Sequence, residues 1–423
     1  MKFMVHDATP AELHAACVDN SVTWMHRIVE AGGGTLFQED GLHWAATWQP
    51  GREITALVTR PPESSLRGRI DAIGAYGRAN NVDIVSYWAM DAAWARQLDI
   101  WLCARGLRPG GRPHWMIIDL AAYPERSTLS SEYPMTLPDS FDDHTVPELL
   151  CYDPGSRHIR QALVRMRPQR VWQAVWWRDG APVGTASINV TEGDLGIGGI
   201  HDLYFLPDAR TPGLGLERFD DLVEFARGLG IRYAVANAAD EAAPLYRVMG
   251  FRSLGFGQTW WLPRHAAQHA PDARQVAFAE AIGEGDLSAT QAHADLSALD
   301  DRLTNGMTPL RLAAHHRQPG VARWLLDRGA SPDLLALWEL GWKDEARELL
   351  TADPSLATRR QPHSGKTLLH VAVERDHPDL AALLLECGAD PQARDERYHG
   401  TPLDWAVELR RRRVGAVLRG RPR

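Results

Sequence analysis

The last third of the chain repeats itself, and the repeat dictates how that third must fold. "GMTPLRLAA" (306–314), "GKTLLHVAV" (365–373) and "GTPLDWAV" (400–407) are versions of one phrase, with Thr308, Thr367 and Thr401 spaced 59 and 34 residues apart. "GASPD" from Gly329 and "GADPQ" from Gly388 each begin 21 residues after their threonine, so the second half of the unit recurs as well. Periods of this length mean stacked supersecondary units, none of which can bury its apolar face alone. Within each unit the threonine hydroxyl caps a helix whose first turn tolerates proline. Small alanines let two short helices pack closely, and the glycine ends the second helix.

These phrases resemble the ankyrin repeat, with its T-P-L-H-x-A signature. The 59-residue gap leaves room for a weak repeat around 334–357, and 276–287 reads as a worn first helix pair, which gives about five units over 275–423. Two apparent sites dissolve in this reading. "SGKT" (364–367) suggests a phosphate loop, but Arg360 stands where the first glycine is required. His370 occupies the repeat's own histidine position, where the resemblance implies a structural bond between neighbouring turns. The run from Arg410 to Arg413 reads as the solvated face of a last helix.

A chain of 423 residues is long enough for two or three domains. Its 44% hydrophobic and 24% charged residues are those of a globular protein, and no apolar run approaches the roughly 18 residues of a membrane span. A formal charge of -8 argues against a nucleic-acid binder. The four cysteines lie far apart with no CxxC pair, and the N-terminus has no apolar leader segment. The expectation is a reduced, cytoplasmic protein without a cysteine-based metal site, membrane contact or nucleic-acid partner.

Residues 136–265 show a different grammar. An alternating hairpin (170–190), a strand (198–207), a glycine-bearing loop, a helix (214–230), a strand (232–239), a short helix (241–251) and a final strand (255–263) give the order β-β-β-loop-α-β-α-β. The loop precedes a helix N-terminus, where free N–H groups and the positive end of the dipole attract phosphate.

This layout resembles the GCN5-related N-acetyltransferase (GNAT) family. Arg210, Thr211, Pro212, Gly213, Leu214 and Gly215 match the family's [RQ]-x-x-G-x-[GA] loop, which implies that Arg210, Thr211, Gly213, Leu214 and Gly215 hold the pyrophosphate of acetyl-coenzyme A. Gly213 and Gly215 let the main chain approach without a Cβ in the way. "LYRVMGF" (245–251) matches a second motif, L-Y-x-x-x-G-F. By position, Leu203 and Phe205 match the strand residues whose backbone meets the acetyl oxygen and pantetheine arm. His201 matches the place of a general base and Tyr246 that of the acid that protonates the thiolate. Alternation puts His201 on the same face as Leu203 and Asp202 on the other. Ala239 stands where the family often has an asparagine, with Asn237 nearby on a shifted register, and Pro212 has no N–H to offer the loop.

The first 135 residues look like a worn copy of the same unit: a strand pair (43–61), a helix (66–81), a strand (83–90), a helix (93–107) and a closing strand (114–121), without an R-x-x-G-x-G loop. This resembles tandem acetyltransferases in which one half has become a structural partner and substrate lies between the halves. Seven tryptophans, from Trp24 to Trp115, crowd this half, most of them expected in the core and one or two in an acceptor cleft. The expected fold class is therefore α/β plus all-α: two GNAT-like mixed α/β units, the first degenerate (1–135) and the second active (136–268), followed by an ankyrin solenoid (269–423). The resemblance implies acetyl transfer from acetyl-coenzyme A to a small-molecule amine or natural product, in resistance or detoxification. Alternatively, the repeats recruit a protein acceptor, or the chain is a non-catalytic scaffold.

Overall fold

A computed structural model describes residues 8–48, 51–124, 133–141, 156–191, 197–209, 214–239, 242–263, 269–361, 364–396 and 399–420. The chain divides into two compact units, Met1–Pro271 and Asp272–Arg423.

The first unit opens with α1 (Pro10–Gly32), which starts at a capping box: Thr9 accepts from the Glu12 N–H while the Glu12 carboxylate accepts from the Thr9 N–H. Then follow β1 (Thr35–Glu39), β2 (Leu42–Thr47), β3 (Glu53–Val58), α2 (Leu66–Ala79), β4 (Ile84–Ala89), α3 (Ala95–Ala104), β5 (Arg108–Pro109) and β6 (His114–Asp119). The second half continues with β7 (Met135–Thr136), α4 (Arg157–Arg165), β8 (Val171–Arg178), β9 (Ala181–Val190), β10 (Ile197–Phe205), α5 (Leu214–Gly228), β11 (Tyr233–Ala238), α6 (Ala243–Val248), β12 (Arg252–Phe256) and β13 (Gln258–Pro263).

These strands make two sheets, ordered β1-β2-β3-β4-β13-β5 and β12-β6-β11-β10-β9-β8-β7. The strand expected to close each half lies in the other half's sheet. β6 sits between β11 and β12, and β13 pairs with β4 and β5. The reason is visible in burial. β6 is buried along both faces, from His114 to Ile118, so it requires a neighbour on each edge and cover on each side, which a terminal strand of the first sheet would lack. The two halves are thus interlocked by reciprocal strands.

Helix α5, which follows the expected diphosphate loop, is fixed by a buried polar cluster. Trp176 Nε1–H donates to Asp221 at 2.9 Å, Arg218 pairs with the same carboxylate at 3.2 Å, and Arg218 also donates to the Tyr133 carbonyl. Burial pushes the Asp221 pKa up, while the Trp176 hydrogen bond and the Arg218 charge hold it down. Phe219 and Leu222, on the same helix, are fully enclosed in the core below the sheet.

The second unit is built of helix pairs: α7 (Ala273–Glu284) with α8 (Leu287–His293), α9 (Pro309–His315) with α10 (Pro319–Asp327), α11 (Leu334–Glu339) with α12 (Lys343–Ala352), α13 (Leu368–Glu374) with α14 (Pro378–Glu386), and α15 (Pro402–Glu408) with α16 (Arg412–Leu418). The five pairs among the described residues fall where the repeat places them. Thr308 caps α9, and Thr401 forms a capping box with Asp404. His370 is the bond between turns that the repeat implies: its Nδ1 accepts from the Thr367 N–H at 3.2 Å, so Nε2 carries the proton and donates to the Gly400 carbonyl at 3.1 Å. Lys366, the lysine of "SGKT", pairs with Glu374 at 2.6 Å and lies over the Trp405 ring.

Candidate active site

The site is organised by a defect in β10. This strand pairs in parallel with β11 only from Ile197↔Tyr233 to Ile200↔Ala236, yet it runs on to Phe205. Beyond Ile200 the two strands separate. On the other edge the ladder with β9 slips by one residue between His201 and Tyr204, and Asp202 takes φ +54°, in the left-handed region that aspartate tolerates better than most residues. The bulge breaks the alternation on which the sequence expectation for Asp202 rested. His201, Asp202 and Leu203 all face one cavity of about 770 Å³, so the expectation that Asp202 points away is corrected by the extra residue.

That cavity is closed from the opposite side by the first half. α1 contributes Trp24, and β3 contributes Glu53, Thr55 and Leu57, alternate residues that share one face. Trp88 from β4 and Trp115 from the exchanged β6 complete the aromatic part of the wall. Trp115 is held by a hydrogen bond from its Nε1–H to the Met90 carbonyl at 2.7 Å.

His201 stacks on Trp24, with ring centroids 4.4 Å apart and planes 9° from parallel. Its Nε2 lies 3.3 Å from Asn20 Oδ1. The Asn20 amide nitrogen is committed to the Asn189 carbonyl at 3.0 Å and Thr191 Oγ1 at 2.6 Å, so Oδ1 is the acceptor and His201 donates from Nε2, which leaves the lone pair on Nδ1. Gly199 is required for this arrangement: a Cβ there would lie 2.0 Å from Asn20 Oδ1 and 2.6 Å from His201 Nε2. Burial lowers the His201 pKa to about 4; the Asp202 charge opposes the shift and Arg160 adds to it.

Tyr246, on α6, lines the same cavity, packed edge-on against Phe251. Burial raises its pKa to about 12, with the Asp202 charge pushing the same way, so the phenol stays protonated. Between the two stands an ion pair that sequence reading missed. Arg160, on α4, pairs with Asp202; the two side chains keep only 8% and 17% of their surface exposed. The Arg160 guanidinium also sits over the Trp24 ring at 5.4 Å.

The other expected site residues are distributed unevenly. Leu203 lines the cavity. Phe205 is buried behind it, its ring 5.1 Å from Trp176 and directly over Gly184, where a Cβ would come within 2.3 Å of the ring. Arg210, Thr211 and Gly213 lie outside the described residues. Leu214 and Gly215 form the first turn of α5. Asn237 and Ala239 both line the cavity, so the asparagine displaced by two residues still borders the site.

Residues 130–251 match the model of the acetyltransferase (GNAT) family, and residues 305–336 and 364–396 match that of the ankyrin repeat. Mouse "Ankyrin repeat and SOCS box protein 6" is 40% identical over 80 residues, which covers 19% of this chain and 19% of that protein. The chain spans about a fifth of the length of such curated relatives. Among solved structures, a GCN5-related N-acetyltransferase from Kribbella flavida aligns at 15% identity with a TM-score of 0.45, covering 59% of this chain and 95% of that one. A tandem GNAT protein from the clavulanic acid biosynthesis pathway aligns at 15% identity with a TM-score of 0.40, covering 53% and 78%.

Proposed function

Starting from a chain that carries a GNAT acetyltransferase domain at residues 130–251 and ankyrin repeats at 305–336 and 364–396, we propose that it transfers acetyl from acetyl-coenzyme A to the amine of a small molecule or natural product, in a resistance or detoxifying role. The observation that carries this reading is the opening of β10 from β11 onto a cavity that gathers His201, Asp202 and Tyr246. A parallel pair that stops after four residues offers strand edges to an extended pantetheine arm, and Leu203 stands at that opening with its side chain on the cavity. The loop of Arg210, Thr211, Gly213, Leu214 and Gly215 is assigned to the diphosphate.

Acetyl-coenzyme A, when bound, supplies the electrophilic thioester carbonyl. The chain's own residues supply the rest. His201, neutral and turned by Asn20, presents Nδ1 as the base that takes a proton from the attacking nitrogen. Oxyanion stabilisation is assigned to the backbone at Leu203, beyond the point where β10 stops pairing with β11. Tyr246, kept protonated by burial, donates to the departing thiolate. A small acceptor is favoured because every described residue lining the cavity belongs to the first unit. The five helix pairs of the second unit favour a second reading, in which a protein acceptor is recruited by the repeats.

Calorimetric titration with acetyl-coenzyme A, beside a Gly213→Glu variant, tests the proposal. Binding that the variant abolishes is expected; no binding by the unaltered protein would refute the transfer reading.

A further inference from the structure

The first half does more than wall the cavity. We infer that one face of α1 positions the second half's base: Asn20 fixes which nitrogen of His201 carries the proton, Trp24 fixes the plane of its ring, and Arg27 holds Asn20 in place through Asn189. This rests on the acetyl-transfer reading and adds positioning residues to it.

The sequence makes room for that face. Asn20, Trp24 and Arg27 stand at i, i+4 and i+7 of α1, on one side of the helix. On the sheet below, Gly199 of β10 pairs with Asn189 of β9 and His201 pairs with Ser187, so these four residues share one sheet face. Gly199 leaves a gap in that face beside His201, and the Asn20 amide fills it. Asn20 and Asn189 are both fully buried, so each of their polar atoms needs a partner within the protein.

Those partners can be met in one way. The main-chain carbonyl of Asn189 only accepts, so the Asn20 atom 3.0 Å from it is the amide nitrogen, and Oδ1 is left to face His201. Arg27 only donates, so the Asn189 side chain turns its oxygen to Arg27 and its nitrogen, at 3.3 Å, to the Asn20 carbonyl. Each amide therefore binds the other residue's main chain. Arg27 also reaches the Val190 carbonyl at 2.8 Å, which ties helix to strand at a second point.

With both amides fixed, only one tautomer of His201 fits. The opposite one would set a bare Nε2 against Asn20 Oδ1, two acceptors facing each other in a buried place with no proton between them. The tautomer that fits keeps its lone pair on Nδ1, and the parallel Trp24 indole holds that lone pair in one plane. The second half thus carries the base without the means to orient it, and the first half supplies them.

The test is nitrogen-15 NMR of the full chain labelled at histidine, recorded without acetyl-coenzyme A or acceptor, with the His201 signals identified by their loss in His201→Gln. The unaltered protein is expected to show Nε2 protonated and Nδ1 bare. Asn20→Leu removes the acceptor. Gly199→Ala keeps every polar group and pushes Asn20 Oδ1 and His201 Nε2 apart, because its Cβ would crowd both, and it serves where Asn20→Leu does not fold. In either variant the two nitrogen shifts are expected to move towards each other as the Nδ1–H form appears. The kcat should fall about tenfold or more with the KM for acetyl-coenzyme A unchanged, part of the roughly hundredfold that a general base supplies. A proton on Nδ1 in the unaltered protein, or shifts and kcat that stay put in a folded variant, overturns the inference; a lower melting temperature with unmoved shifts would mean a structural role alone. Because the shifts are read without donor or acceptor, failure to bind acetyl-coenzyme A would fall on the transfer reading and leave the shifts to decide this one.

Discussion

The two halves of the first unit use the same parallel pair in opposite ways. In the first half, β3 and β4 pair without interruption from Glu53↔Ile84 to Val58↔Ala89. In the second, β10 and β11 pair for four residues and then part, with the slip and the left-handed Asp202 just beyond the last pair. One extra residue therefore separates a closed sheet, whose face serves as a wall, from an open one, to which we assign the extended ligand. The loops agree with this division: the helix after β3 begins at Ser65 without a side-chain cap bond, and no G-x-G stretch precedes it.

Removing the difference should have the largest effect. Deleting Asp202 restores alternation along β10 and is expected to let it zip to β11, making the second half resemble the first. Acetyl-coenzyme A affinity should fall by about a hundredfold or more, as one register change removes several contacts together; retained affinity would show that the bulge is incidental. Next in size is the interlock. Trp115 is 2% exposed on a strand that one half lends to the other, so Trp115→Ala should cost about 3–5 kcal/mol. In a thermal melt it should lower a single transition of the first unit by roughly 10 °C. Two separable transitions would mean that the halves fold independently.

Tyr246→Phe should lower kcat by about a hundredfold with little change in KM, in line with loss of a general acid. The pH profile sharpens the same point. The neutral form of His201 exists above about 4 and the protonated form of Tyr246 persists to about 12. Activity should therefore be flat from pH 5 to 8 and fall only as acid protonates His201; an inflection near 6.5 would place the base in a solvated setting. The smallest effect is expected in the second unit. His370→Ala leaves the Gly400 carbonyl without its donor and should destabilise the repeats by about 1–2 kcal/mol, measured by denaturant unfolding, with acetyl-coenzyme A affinity unchanged.

What was legible in the sequence follows from what each feature depends on. The helix pairs of the second unit come from local rules, since a threonine cap and a glycine stop act within a few residues, and they are found where the phrases place them. Many strands and helices of both halves were legible from alternation and helical spacing, but β1 and α4 were not read, and the single closing strand expected over 255–263 is instead the end of β12 followed by β13, which lie in different sheets. α1 was not read, although Thr9-Pro10-Ala11-Glu12 spells its capping box and Leu13, Cys17, Val22, Met25 and Val29 mark its buried stripe. The exchange of β6 and β13 was not legible, because an apolar strand pattern specifies burial and not which sheet supplies it. The bulge was hidden for a related reason. Asp202 is only a residue that tolerates a left-handed conformation, and the slip is decided by pairing with β9, twelve or more residues away. With the bulge unseen, the partnership of Asp202 with Arg160 was unseen too.

The most direct measurement is the stoichiometry of acetyl-coenzyme A on the purified chain, by equilibrium dialysis with labelled ligand. One site per chain, lost on deletion of Asp202, is the result that an open second half and a closed first half require. Two sites, or one that survives the deletion, would contradict the assignment of cofactor binding to the parted strands.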